Sequence, residues 1–157
     1  MFSKILFTVC LFAMSTTIMV AETITGRVTE IASGDSFKMT VSDASLVLVK
    51  LHAVMAPKPL QAFNLDAEAQ LTALVLNKDV SLDVVATERG GVKVCRVTQG
   101  TLNISEEMGK TGLVWFYARY ITAATDRPII VAIYTAKAAR TGLWIDATPI
   151  APWLFGL

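Results

Sequence analysis

Four cations, Lys50, Lys58, Arg89 and Lys93, stand in the central part of the chain. Ammonium and guanidinium groups that converge can neutralise a phosphate or carboxylate, and arginine adds a planar fork for bidentate contact. Cations spread at this spacing form either such an anion site or a solvated rim, and the rim is the commoner arrangement. His52 follows Lys50 by two residues, which on a strand points both side chains to one face. It is the single histidine of the chain. No second imidazole exists to complete a zinc site, and a lone histidine is more often a hydrogen-bonded structural group. Cys95 lies in the alternating segment 92–97 and reads as a small buried hydrophobe. Trp115, Phe116, Tyr117 and Tyr120 form a dense aromatic group, expected in the core.

The chain that must position these groups has 157 residues, of which 54% are hydrophobic and 17% charged. That is too apolar for a disordered chain, and the length suits one core rather than several domains. Part of the apolar excess sits at the start, where Lys4 precedes the run Ile5 to Met14, the polar break Ser15-Thr16-Thr17 and the small residue Ala21. The run is short for a membrane span, so residues 1–21 are predicted to be a secretory signal peptide cut after Ala21, followed by a single domain over 22–157. Cleavage removes Lys4 and no acid, so Lys+Arg falls from 14 to 13 against 13 Asp+Glu. A formally neutral mature chain argues against gripping nucleic acid as its main task, because phosphate neutralisation needs a basic excess. Cys95 is the single cysteine left after cleavage, so no disulfide can form within the mature chain.

Patterning predicts strands over Ile24 to Ile31 and Ser36 to Val41, joined by Ala32-Ser33-Gly34-Asp35, and a third over Leu46 to Val54. The prolines of Ala56-Pro57-Lys58-Pro59 enforce a loop. An amphipathic helix is predicted over Leu65 to Leu76, then strands over Val80 to Ala86 and Val92 to Val97 around the turn Gly90-Gly91. The remainder reads as helical, with a short helix from Ser105 to Lys110 and a longer one from Pro128 to Arg140 capped by Asp126. This order fits an α+β, mainly β, fold: a five-stranded barrel of the oligonucleotide-binding (OB) type with about three helices.

Several segments then carry a resemblance. Ser33-Gly34-Asp35-Ser36 and Val49-Lys50-Leu51-His52-Ala53-Val54-Met55-Ala56-Pro57-Lys58 stand in order with Gly112-Leu113-Val114-Trp115-Phe116-Tyr117 and with Gly142-Leu143-Trp144, Pro149 and Pro152-Trp153. Together they resemble the staphylococcal-nuclease-like (thermonuclease) family across residues 24–153. The family has Asp-Gly-Asp-Thr, Val-Arg-Leu-x-Gly-Ile-Asp-Ala/Thr-Pro-Glu and Gly-Leu-Ala-Trp-Val-Tyr at the first three of these places. The resemblance implies phosphodiester hydrolysis with a carboxylate calcium site, a glutamate that activates water and two arginines that neutralise the phosphate. A hard cation wants oxygen ligands, and a reacting phosphate wants planar bidentate donors. It also places the aromatic group in a cleft wall and His52 toward the cleft.

Carried onto this chain, those roles are mostly vacated. Asp35 remains as a metal carboxylate, but the second falls on Met55, the neighbouring threonine on Ala56 and the base on Lys58. The arginines fall on Lys50 and Val92; the alternative is a correspondence slipped by one residue, in which Glu88 or Asp66 supplies a missing carboxylate. Groups that act as a unit fail together. The expectation is a catalytically inactive, periplasmic or secreted bacterial domain without a cofactor, working as an interaction or assembly module. Its partner would be an envelope protein or a second copy, with membrane contact only through an uncleaved signal segment. A weak calcium-dependent nuclease and a non-cleaving anion binder using Lys50, Lys58, Arg89 and Lys93 are the alternatives. Lys58 is expected to pair with Asp35 in place of the metal. The apolar end Leu154, Phe155 and Leu157 is expected at an interface, with Phe155 as anchor and Trp153 in the core.

Overall fold

The computed structural model describes residues 23–121 and 124–156, so the predicted signal segment and Leu157 lie outside the described residues. Strands β1 (Thr23–Ser33) and β2 (Ser36–Val41) form a hairpin, and β3 (Leu46–Leu51) extends it. On the other side β1 pairs with β5 (Asp79–Thr87), which pairs with β6 (Lys93–Gln99). The circle closes where β3 and β6 run parallel through Val49–Lys93, Lys50–Val94 and Leu51–Cys95. These five strands are the expected OB-type barrel. β1 can serve both β2 and β5 because register shifts between Val28 and Glu30 and between Ile31 and Ser33 bend it. Closure of a small barrel needs such bends.

Three helices cover the barrel. Helix α1 (Asn64–Val75) buries Ala67, Leu71 and Val75, one stripe at helical spacing. The helix α2 (Ile104–Lys110) starts where the Asn103 side chain accepts the Glu106 backbone N–H at 3.2 Å. Helix α3 (Arg127–Ala138) lays Ile129, Ala132, Ile133 and Ala136 inward. Phe37, Met39, Leu51, Leu71, Leu82 and Ile104 fill the centre without solvent exposure beyond one percent. Side chains of this size contribute roughly 1.5–3 kcal/mol each when fully buried.

Four expectations are corrected. The predicted strand over Leu46 to Val54 breaks at His52-Ala53, where Ala53 takes φ 66°, and resumes as the two-residue β4 (Val54–Met55). Barrel closure explains the corner: the Leu51 N–H donates to the Asp35 carbonyl and the His52 N–H to the Cys95 carbonyl, pulling the chain across β6. His52 is therefore off the Lys50 face and completely buried. Asp126 precedes α3 but makes no side-chain cap, because its carboxylate turns inward. The part after β6 is not all helical, since β7 (Leu102–Asn103) pairs with β6, and β8 (Trp115–Phe116) pairs with β4.

Candidate functional site

Asp35 is held at the β1–β2 turn as a local staple. Its Oδ1 accepts the Ser33 hydroxyl at 2.6 Å, and its Oδ2 accepts the Ala56 backbone N–H at 3.1 Å. Gly34 makes this possible: a Cβ there would lie 2.6 Å from the Ala67 Cβ and 2.8 Å from the Ala56 Cβ. Only a glycine lets the turn press against α1 and bring Asp35 over the Ala56 amide.

The other positions that the resemblance assigns to the calcium site follow from β4. Met55 is in strand register with Trp115, Ala56 is buried behind it, and the chain then leaves through Pro57 to an exposed Lys58. The Lys58 backbone N–H donates to Gln61 Oε1 at 3.0 Å. Its ammonium makes no ion pair among the described residues, so the expected contact with Asp35 is not formed. A thioether, an ammonium and one carboxylate with both oxygens engaged do not fit calcium, which wants six to eight oxygens. Among the described residues no group of three or more His, Cys, Asp or Glu is arranged to hold a metal.

On the phosphate side, Lys50 lines a depression with Glu88, Tyr117 and Tyr120. Its volume is about 10 Å³, the lower limit for one water molecule. Glu88 Oε1 accepts the Tyr120 hydroxyl at 3.1 Å and Arg119 Nη1 at 3.4 Å. Burial, and then this bond to Glu88, push the Tyr120 hydroxyl above its ordinary value. A carboxylate beside Lys50 opposes an incoming phosphate. The other cations point elsewhere: Lys93 lines a separate depression with Ile24, Val41 and Val47, Arg89 is exposed in the β5–β6 loop, and Val92 stays in the turn where its carbonyl accepts the Glu88 N–H. The four cations are not brought together. Asp66 is exposed in the first turn of α1.

A buried charge network was missed by the sequence reading. Asp126 accepts Arg96 Nε at 2.9 Å and Nη2 at 3.2 Å, and Arg96 Nη1 reaches Asp83 at 3.1 Å. His52 Nε2 lies 3.1 Å from Asp126 Oδ2, out of line for a hydrogen bond, and its Nδ1 has no partner among the described residues. Burial opposes ionisation of Asp126, but the Arg96 bonds and the His52 contact outweigh it and hold the carboxyl below its ordinary value. The Asp126 bond likewise raises Arg96. One available signal was an arginine between the buried Cys95 and Val97, a place that calls for a partner. Cys95 itself is enclosed, and burial pushes its thiol up to about 12.

The C-terminal end folds back on the barrel. Trp115 meets Trp144 edge-on at 4.6 Å and Trp153 at 5.9 Å, and Tyr117 lies 5.9 Å from Trp153. Trp153 is nonetheless 42% exposed, which corrects its expected place in the core. Phe155 is partly buried and walls an apolar cavity with Pro57, Phe63, Trp115 and Leu143, while Leu154 points to solvent.

Comparison with known proteins agrees with the barrel fold. Residues 45–146 match the family described as staphylococcal nuclease homologue. An uncharacterized endonuclease of Haemophilus influenzae is 32% identical over 128 residues, covering 82% of this chain and 70% of the relative. An uncharacterized endonuclease of Escherichia coli O157:H7 is 27% identical over 146 residues, 92% of each chain. An uncharacterized 38.1 kDa protein of Capnoides sempervirens is 31% identical over 106 residues, 67% of this chain and 30% of the relative. With the closed barrel and the matched segment together, the chain belongs to the staphylococcal nuclease homologue family.

Proposed function

We propose that this domain binds rather than cuts: a non-hydrolytic member of its family, exported to the periplasm or beyond, that works as a protein-interaction or assembly module. The observation that carries the reading is the donor set at the cation position, Asp35 with both oxygens bonded, Met55 and exposed Lys58. The carboxylate of Glu88 beside Lys50 supports it from the phosphate side. Export rests on the apolar segment that precedes the domain. The test is incubation of the purified protein with single-stranded DNA and RNA in calcium, and separately in magnesium. The expected result is no cleavage above a buffer control, and metal-dependent cleavage that co-purifies with the folded protein would overturn it.

A second reading, a weak or altered phosphodiesterase, is favoured by one observation: the printed names of two relatives include endonuclease. In that case cleavage should fall when Asp35 or Lys50 is replaced, because the family resemblance gives those positions a metal carboxylate and a phosphate-neutralising cation.

A further inference from the structure

The C-terminal face carries a feature that the barrel and its former cleft do not use. Its cavity of about 230 Å³ is walled by Pro57, Phe63, Trp115, Leu143, Ile150 and Phe155. A cavity of about 150 Å³ with such walls admits a benzene ring, so this one has room for an aliphatic side chain. Leu60, Ile145, Ile150, Trp153 and Leu154, all exposed, belong to the segments that form this face. Leu60 is the outstanding member. It sits on the loop whose Pro57 and Gln61 line the cavity, with Gln61 Nε2 donating to the Ile150 carbonyl, yet its own side chain is 98% exposed. Its φ of 70° is a left-handed conformation that leucine seldom adopts. An apolar knob is held out beside an apolar hole.

Charge repeats this arrangement. Asp146 lines the same cavity, and its carboxylate accepts the Thr148 backbone N–H at 2.9 Å; it also lines the adjoining depression with Lys137 and Arg140, but neither these nor any other cation among the described residues lies within ion-pair distance of it. Lys58, two residues before Leu60, likewise has no carboxylate partner there. A surface that carries both a knob with its cation and a hole with its anion is complementary to itself, and a twofold axis satisfies each contact twice. We propose that this face is the interface of a homodimer in which Leu60 of each copy enters the cavity of the other and Lys58 meets Asp146 across the axis. The proposal deepens the binding-module reading by naming a second copy as the partner, and rests on that reading for association as the domain's task.

The test is sedimentation velocity on the protein obtained by expressing the full chain. The expected result is a dimer at high micromolar concentration that dissociates on dilution. Leu60→Asp, at a site with no core contact to lose, should give a monomer with an unchanged melting temperature. Lys58→Asp and Asp146→Lys should each weaken the dimer about tenfold, and the two together should restore it. A protein that stays monomeric, or a dimer that Leu60→Asp leaves intact, overturns the proposal. Lys137 and Arg140 border the neighbouring depression, so flotation with vesicles of anionic phospholipid is the paired measurement. A monomer that floats with them assigns the face to a membrane and overturns the dimer. An inactive monomer removes the second copy but leaves the binding-module reading standing, whereas nuclease activity removes that reading whatever the oligomeric state.

Discussion

Arg96 and Asp126, thirty residues apart in the chain, meet through two hydrogen bonds of 2.9 and 3.2 Å that tie β6 to the start of α3. The Asp126 carboxylate is almost without solvent contact, and His52 closes its other side at 3.1 Å. Removing one member of such a group strands the rest. Asp126→Asn should therefore destabilise the fold by about 3–5 kcal/mol, measured by urea unfolding. A loss below about 1 kcal/mol would show that solvent reaches the network.

The same carboxylate gives the protein an acid limb. Asp126 has a folded pKa below its unfolded one, so its contribution is fully present above the ordinary aspartate range and is lost as the pH falls through and below that range. Stability measured against pH should decline there in the wild type and less steeply in Asp126→Asn. Parallel curves would rule out this source.

Asp35 should behave as a structural group without a metal. Asp35→Ala leaves the buried Ala56 N–H without its acceptor, a loss of about 1–3 kcal/mol. The loss should be equal in millimolar calcium and in chelator, and the wild-type melting temperature should not rise with calcium. A calcium-dependent rise would restore the metal site to consideration.

Gly34 is where the turn touches the helix. Gly34→Ala puts a methyl 2.6 Å from the Ala67 Cβ and should cost about 1–3 kcal/mol. Combined with Ala67→Gly, the double variant should be more stable than the sum of the two single losses predicts. Strict additivity would show that the turn moves away freely.

Cys95 should be inert. With its thiol pushed up to about 12 inside the barrel, it should react with a disulfide reagent near neutral pH only as fast as the protein opens. Reaction at the rate of a free cysteine, in the absence of denaturant, would place it at the surface.

The barrel was legible because its hairpins are punctuated by turn residues and its strands alternate, so β2 and α2 fall within a residue or so of their predicted limits. The corner at His52-Ala53 was not, since an unbroken apolar run carries no mark where hydrogen bonds from another strand will turn it. β4 and β8 are two residues each and too short to show a period. Asp126 reads as a cap because aspartate before a helix suits a cap and a buried ion pair alike, and only the position of Arg96 decides between them. At the candidate site, the departures of Met55, Lys58 and Val92 from the pattern of the resembled family could be read from the sequence. The engagement of Asp35 could not, because it depends on how closely Gly34 approaches α1.

The chain has three tryptophans, and all of them, Trp115, Trp144 and Trp153, belong to the one aromatic cluster beneath the C-terminal end. Intrinsic tryptophan emission is thus a spectroscopic window on that end alone, while the barrel is silent at those wavelengths. Trp153, half in solvent, is the indole whose emission an added collisional quencher should reach first. A seating or release of the last few residues would register as a shift in emission with no change in the far-ultraviolet circular dichroism of the strands.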